Sequence, residues 1–147
     1  MSFRAATHLA SRRAAFPALP ALNHRNHRLS ALRQFHTTLP NMTVHNIETK
    51  AAFDEAVKKY PVVIVDAFAT WCGPCKAIAP IVAKMSDEER FKDVYFVKID
   101  VDHLPDLSQE LGITAMPTFV AFKEGEPNGR VTGAIPQEIL NLVAKQI

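Results

Sequence analysis

Acid is missing from the first 47 positions of this 147-residue chain; all 15 Asp and Glu lie from Glu48 onward. Residues 1–41 also lack lysine and glycine. Cysteine is scarce, with only Cys72 and Cys75. Two thiols are too few for a disulfide-stapled secreted scaffold and cannot alone build a four-thiolate metal site. No apolar run approaches the ~20 residues of a membrane-spanning helix, which excludes an integral membrane protein. What remains, 48% apolar and 22% charged residues, is ordinary globular chemistry.

The net charge of +2 is the sum of two unlike parts. Six arginines (Arg4, Arg12, Arg13, Arg25, Arg28, Arg33) stand in residues 1–41 without any acid, whereas residues 42–147 are net negative. Arg-rich, Ser-bearing, acid-free N-termini read as organelle transit peptides. Phe3, Ala6, Ala10 and Ala14 share one helical face with Arg4, Ser11 and Arg12 off it; Arg13 breaks the pattern. Arg33-Gln34-Phe35-His36-Thr37-Thr38 resembles a mitochondrial two-step processing site. The expected division is a transit peptide over 1–42 and a folded domain over 43–147, with Thr43 as the mature start. A single cut after Phe35 fits almost as well. Met42 offers a second start and hence a cytoplasmic form. The competing reading is a basic arm for nucleic acid or an upstream extension.

From Met42 onward, strand and helix patterns alternate. Val44 to Ile47 reads as a short strand, and Thr49 to Lys59 as a helix capped by Thr49. Val62 to Phe68 is a near-continuous apolar run rich in β-branched residues, the mark of a central strand buried on both faces. A helix follows from Cys75 to about Met85, with Pro80 expected to kink it. Val94 to Asp100 is a third strand, Leu104 to Leu111 a helix stopped by Gly112, and Thr118 to Lys123 a fourth strand. Arg130 to Thr132 reads as a short fifth strand, and Pro136 opens a last helix. This alternation implies an α/β fold with βαβ units and a mixed sheet. Phe53, Phe68, Phe96, Phe119 and Phe122 read as core.

Cys72-Gly73-Pro74-Cys75 lies where the buried strand gives way to a helix. A thiolate is the reactive form of cysteine, and a helix N-terminus favours it through unpaired N–H groups and the helix dipole. Gly73 permits the tight bend, and Pro74 stiffens the first turn. Cys72, ahead of the helix, is expected as an exposed nucleophile, and Cys75 as a shielded second thiol. Two other readings stand beside this one. The pair can be plain core cysteines. It can also be half of a zinc site, although the domain's histidines, His45 and His103, are far away in sequence. A Cys-x-x-Cys at a strand-to-helix junction favours thiol–disulfide exchange.

Ala69-Thr70-Trp71-Cys72-Gly73-Pro74-Cys75-Lys76 resembles the active-site signature of the thioredoxin family. The resemblance covers residues 43–147 and none of 1–41. It includes Asp66, Pro80 and Lys98, the Met116-Pro117-Thr118 segment that matches the family's cis-proline loop, and Gly125 and Gly133. It implies a central mixed sheet of about five strands flanked by four helices. The implied activity is protein-disulfide reduction in cell redox homeostasis. Cys72 would be the nucleophile, Cys75 the resolving thiol and the two a disulfide pair. Asp66 would be the proton acceptor, and Lys98 would modulate it. Trp71, Gly73, Pro74, Met116, Pro117 and Gly133 would bind substrate. Gly-Pro between the cysteines resembles the reducing members; oxidant and isomerase relatives tend to carry His at the second of these positions.

No bound cofactor or metal is implied. Electrons would come from NADPH through a flavin-containing thioredoxin reductase and go to disulfide clients such as peroxiredoxins. The expected form is a monomer in the mitochondrial matrix, with no nucleic-acid or membrane partner. The alternative is a non-catalytic docking subunit that leaves both cysteines and Asp66 idle.

Overall fold

The computed structural model describes residues 44–147. The expected transit segment and its cleavage sites therefore lie outside the described residues. Within them the chain runs β1 (Val44–Ile47), α1 (Lys50–Lys59), β2 (Val62–Phe68), α2 (Gly73–Ser86), β3 (Tyr95–Asp100), α3 (Pro105–Glu110), β4 (Thr118–Lys123), β5 (Glu126–Thr132) and α4 (Pro136–Ala144). The strands form one sheet in the order β1-β3-β2-β4-β5. β1, β3 and β2 are parallel, while β4 and β5 run antiparallel to their neighbours.

Central position explains the composition of β2. With a strand on each edge and helices over both faces, Val62 to Ala67 are all buried. Alternate residues feed two cores. Val62 and Ile64 face a cluster with Ile78 and Val82 of α2 and Ile139 and Val143 of α4. Val63, Val65 and Ala67 face Phe53 and Ala56 of α1 and Leu107 of α3.

The predicted caps and turns are present. The Thr49 hydroxyl accepts the Ala52 N–H at 3.1 Å, holding the first turn of α1. Glu124 (φ 50°) and Gly125 (φ 85°) form the two-residue turn between β4 and β5. Two element boundaries differ from those expected. β5 is longer than Arg130 to Thr132 and begins at Glu126, because a register shift near Val120 and Phe122 admits Pro127, Asn128 and Gly129. α2 starts at Gly73, not Cys75. A 3₁₀ turn, Glu89–Phe91, went unpredicted; it carries Phe91, which is fully buried. Phe53, Phe96, Phe119 and Phe122 are core, but Phe68 is half-buried at the sheet's end.

Candidate active site

The site sits where β2 ends. Ala69 accepts the Cys72 N–H at 3.1 Å, turning the chain out of the sheet. Cys72 is the N-cap of α2, and its Sγ accepts the Cys75 N–H at 3.2 Å. A helix-end N–H is thus aimed at the first sulfur, the polarity that favours negative charge there. The two sulfurs form a disulfide, with the Cα atoms 5.3 Å apart. Among the described residues no group of His, Cys, Asp or Glu is arranged to hold a metal.

Cys72 is not the exposed thiol expected. In the disulfide form it is 5% exposed and Cys75 4%, because Ala69, Phe68, Val101 and Met116 pack around the pair. Trp71 is the reverse case. It is 66% exposed, so it is no core residue. Its indole N–H donates to Asp102 Oδ2 at 2.8 Å, which fixes the ring beside the disulfide.

Asp66 lies on β2, paired in register with Lys98 of β3. Its carboxyl is buried, and Oδ1 has no hydrogen-bond partner among the described residues. Burial pushes its pKa from the ordinary 3.8 up to about 7, while the positive charge of Lys98 pulls it partly back. The two are not among the direct ion pairs of the described residues. Lys98 Nζ instead lies 5.6 Å from the centre of the Phe68 ring. Asp66, Lys98 and Cys75 line one pocket of about 300 Å³, together with Phe68 and Ala79. The acid and Cys75 thus border one space.

The Met116–Pro117 bond is cis. Met116 packs on the cysteine cluster, and the Pro117 carbonyl accepts the Gly133 N–H at 2.8 Å. That bond joins the loop to the end of β5, bringing Gly133 beside it. Gly73 and Pro74 are exposed at the head of α2. Ile135, not anticipated from sequence, is 45% exposed and adjoins Gly133. An apolar residue two positions after Gly133 was its one sequence signal.

A disulfide at a helix N-terminus, above a buried acid near neutrality and beside an exposed indole, defines a thiol–disulfide exchange centre. The family model for thioredoxin matches residues 44–145. Thioredoxin-2 of Pyricularia oryzae is 42% identical over 139 residues, 95% of this chain and 78% of that protein. The oxidised form of mitochondrial thioredoxin 3 from Saccharomyces cerevisiae superposes with a TM-score of 0.66 and 36% identity, covering 70% of this chain and 95% of that one. A structure concerned with the thiol-resolving mechanism of yeast mitochondrial 1-Cys peroxiredoxin via glutathione and thioredoxin systems gives 0.65 and 35%, covering 69% and 94%.

The chain belongs to the thioredoxin family. It is a thiol–disulfide oxidoreductase that reduces protein disulfides through a redox-active dithiol, with no prosthetic group. The family acts with thioredoxin reductase and disulfide-bearing clients. A non-catalytic docking role is not favoured.

Proposed function

We propose that this chain is a mitochondrial disulfide reductase in which Cys72 attacks and Cys75 resolves. The Cys72 thiolate attacks one sulfur of a client disulfide, forming a mixed disulfide and releasing one client thiolate. Cys75 gives its proton to Asp66, and the Cys75 thiolate attacks Cys72 Sγ. The second client thiolate leaves, and two electrons have passed from the dithiol to the client. One observation supports this reading above the others: the buried Asp66 carboxyl, its Oδ1 without a hydrogen-bond partner among the described residues, lines the same pocket as Cys75. A carboxyl with a pKa near 7 takes up and releases protons at working pH. Lys98 tunes that value. Trp71, Gly73, Pro74, Met116, Pro117 and Gly133 contact the client, whose extended backbone lies along the Met116–Pro117 loop.

Residues 1–42 act as the transit peptide in this reading, delivering a monomeric 43–147 domain to the matrix. The likeness to P. oryzae Thioredoxin-2 spans 139 residues and so runs well into the segment before Val44. The reductase recycles the dithiol with NADPH, and peroxiredoxins are among the clients. Insulin reduction by the wild type and by the two single cysteine variants tests the chemistry. Turnover by either variant at the wild-type rate overturns it. N-terminal sequencing of the organelle protein tests the address: Phe35, His36 or Thr43 is expected first, and an intact Met1 overturns it.

A further inference from the structure

Arg130 lies on β5, opposite Val120 of β4, and its side chain leaves the strand for the end of a helix. Its guanidinium donates to the Gly112 carbonyl at 2.9 Å and also to the Leu111 carbonyl. Leu111 is the C-cap of α3 and Gly112 the residue after it, so the fork binds where the helix stops, a place that favours a cation's donors. The fork also sits over Gly112, since a Cβ there would meet its two terminal nitrogens at 3.7 and 3.8 Å. Gly112 (φ 63°) begins the 112–117 loop, which ends on Met116 and Pro117 beside the disulfide.

The far end of that loop is held by the same strand. Thr132, two residues on and so on the same side of β5, meets the Thr118 hydroxyl at 3.2 Å. That hydroxyl also lies 2.8 Å from the Ala115 carbonyl, to which it donates, and the Gly133 N–H holds the Pro117 carbonyl. Between these ends, Thr114 and Ala115 are exposed. β5 thus clasps the loop from both sides, and Arg130 is the only one of these ties that carries charge.

We propose that Arg130 is a positioning residue: its fork fixes the start of the 112–117 loop, so that a client's backbone meets a surface already ordered. A bidentate guanidinium suits two adjacent carbonyls, which one ammonium cannot bridge with the same geometry. Without it, client binding must first order the loop. The inference rests on that loop as the client-docking surface.

The test compares a protein disulfide, insulin, with a small aromatic disulfide, dithiobis(nitrobenzoate), which reaches Cys72 without the loop. Arg130→Met keeps the apolar stem and removes the donors. It should raise KM for insulin about three- to tenfold, with kcat and the small-disulfide rate held within about twofold. Arg130→Lys should fall between Met and wild type. Amide exchange across 113–116 should quicken in the Met variant. An unchanged KM in a folded Met variant overturns the proposal. So does an equal loss on both disulfides, which marks general destabilisation. If Arg130→Met does not fold, Arg130→Lys carries the test: KM for insulin raised about twofold or more supports the clasp, and an unchanged KM overturns it. Failure of the docking reading itself shows separately, as Met116→Gly leaving KM for insulin unmoved.

Discussion

Two carboxylates sit near the same end of neighbouring strands, and the protein treats them in opposite ways. Asp66 on β2 is buried, and its Oδ1 has no hydrogen-bond partner among the described residues. Asp100, at the end of β3, is as deeply buried but satisfied: Oδ1 accepts the Asp102 N–H at 3.0 Å, and Oδ2 lies 3.4 Å from His103 Nδ1. The bonded acid shapes a turn, which carries Asp102 to the Trp71 indole. The unbonded acid shapes nothing and faces the pocket shared with Cys75. Burial alone therefore does not distinguish the two carboxylates; the hydrogen-bond partner does.

The contrast can be broken most sharply at the thiols, one of which shares a pocket with Asp66. Cys72→Ser should reduce insulin turnover to background. Cys75→Ser should still attack and accumulate covalent adducts through Cys72, visible on non-reducing gels. Adducts building up on the Cys72 variant instead would reverse the assigned order.

Next in size is Asp66→Asn. Resolution should slow by roughly ten- to a hundredfold near pH 7, seen as delayed release of the mixed disulfide. Stability should move the other way. The carboxyl ionises near 3.8 unfolded and about 7 folded. Between those values the folded state holds a proton that the unfolded state has released, so rising pH erodes stability until the folded group has also ionised. The variant escapes that loss. Its advantage in denaturant melts should be small at pH 4 and reach at most roughly 4 kcal/mol at pH 8. An advantage that does not grow with pH would remove Asp66 as the buried titrating group.

Asp100→Asn should do the opposite, costing about 1–2 kcal/mol through its turn while leaving the pH profile of resolution in place. A shifted profile would erase the distinction between the two acids. The smallest effect is expected from Trp71→Phe. It keeps the apolar face, loses the bond to Asp102, and should raise KM for insulin about two- to fivefold without changing kcat. A lowered kcat at constant KM would place the indole in the chemistry instead.

The sequence shows features fixed by neighbours a few positions away. Thr49 caps α1 because the N–H it bonds is three residues on, and Cys72 to Cys75 form their own turn. The apolar run of β2 announces a central strand whatever its partners. Features set across the fold were hidden. Trp71 is exposed because Asp102, 31 residues later, holds its indole. Phe68 looks like core by composition, yet it ends its strand beneath Lys98. Pro127 has a propensity that opposes a strand, yet pairing with Phe122 of β4 overrides it, while Asn128 and Gly129 fall in the register shift. Arg130 gave no signal, since its partners are backbone carbonyls.

The same irregular β5 bears on how the molecule survives its own substrates. A reductase handles chains whose disulfides are open to attack, and such chains offer unpaired backbone that adds readily to any flat sheet edge. β5 is an outer strand of this sheet, but it is a poor template. Its register breaks near Val120, Pro127 withholds a donor, and Glu126 and Arg130 place opposite charges along it. Loose polypeptide that grazes this flank meets an irregular, charged edge, a poor start for pairing strand to strand.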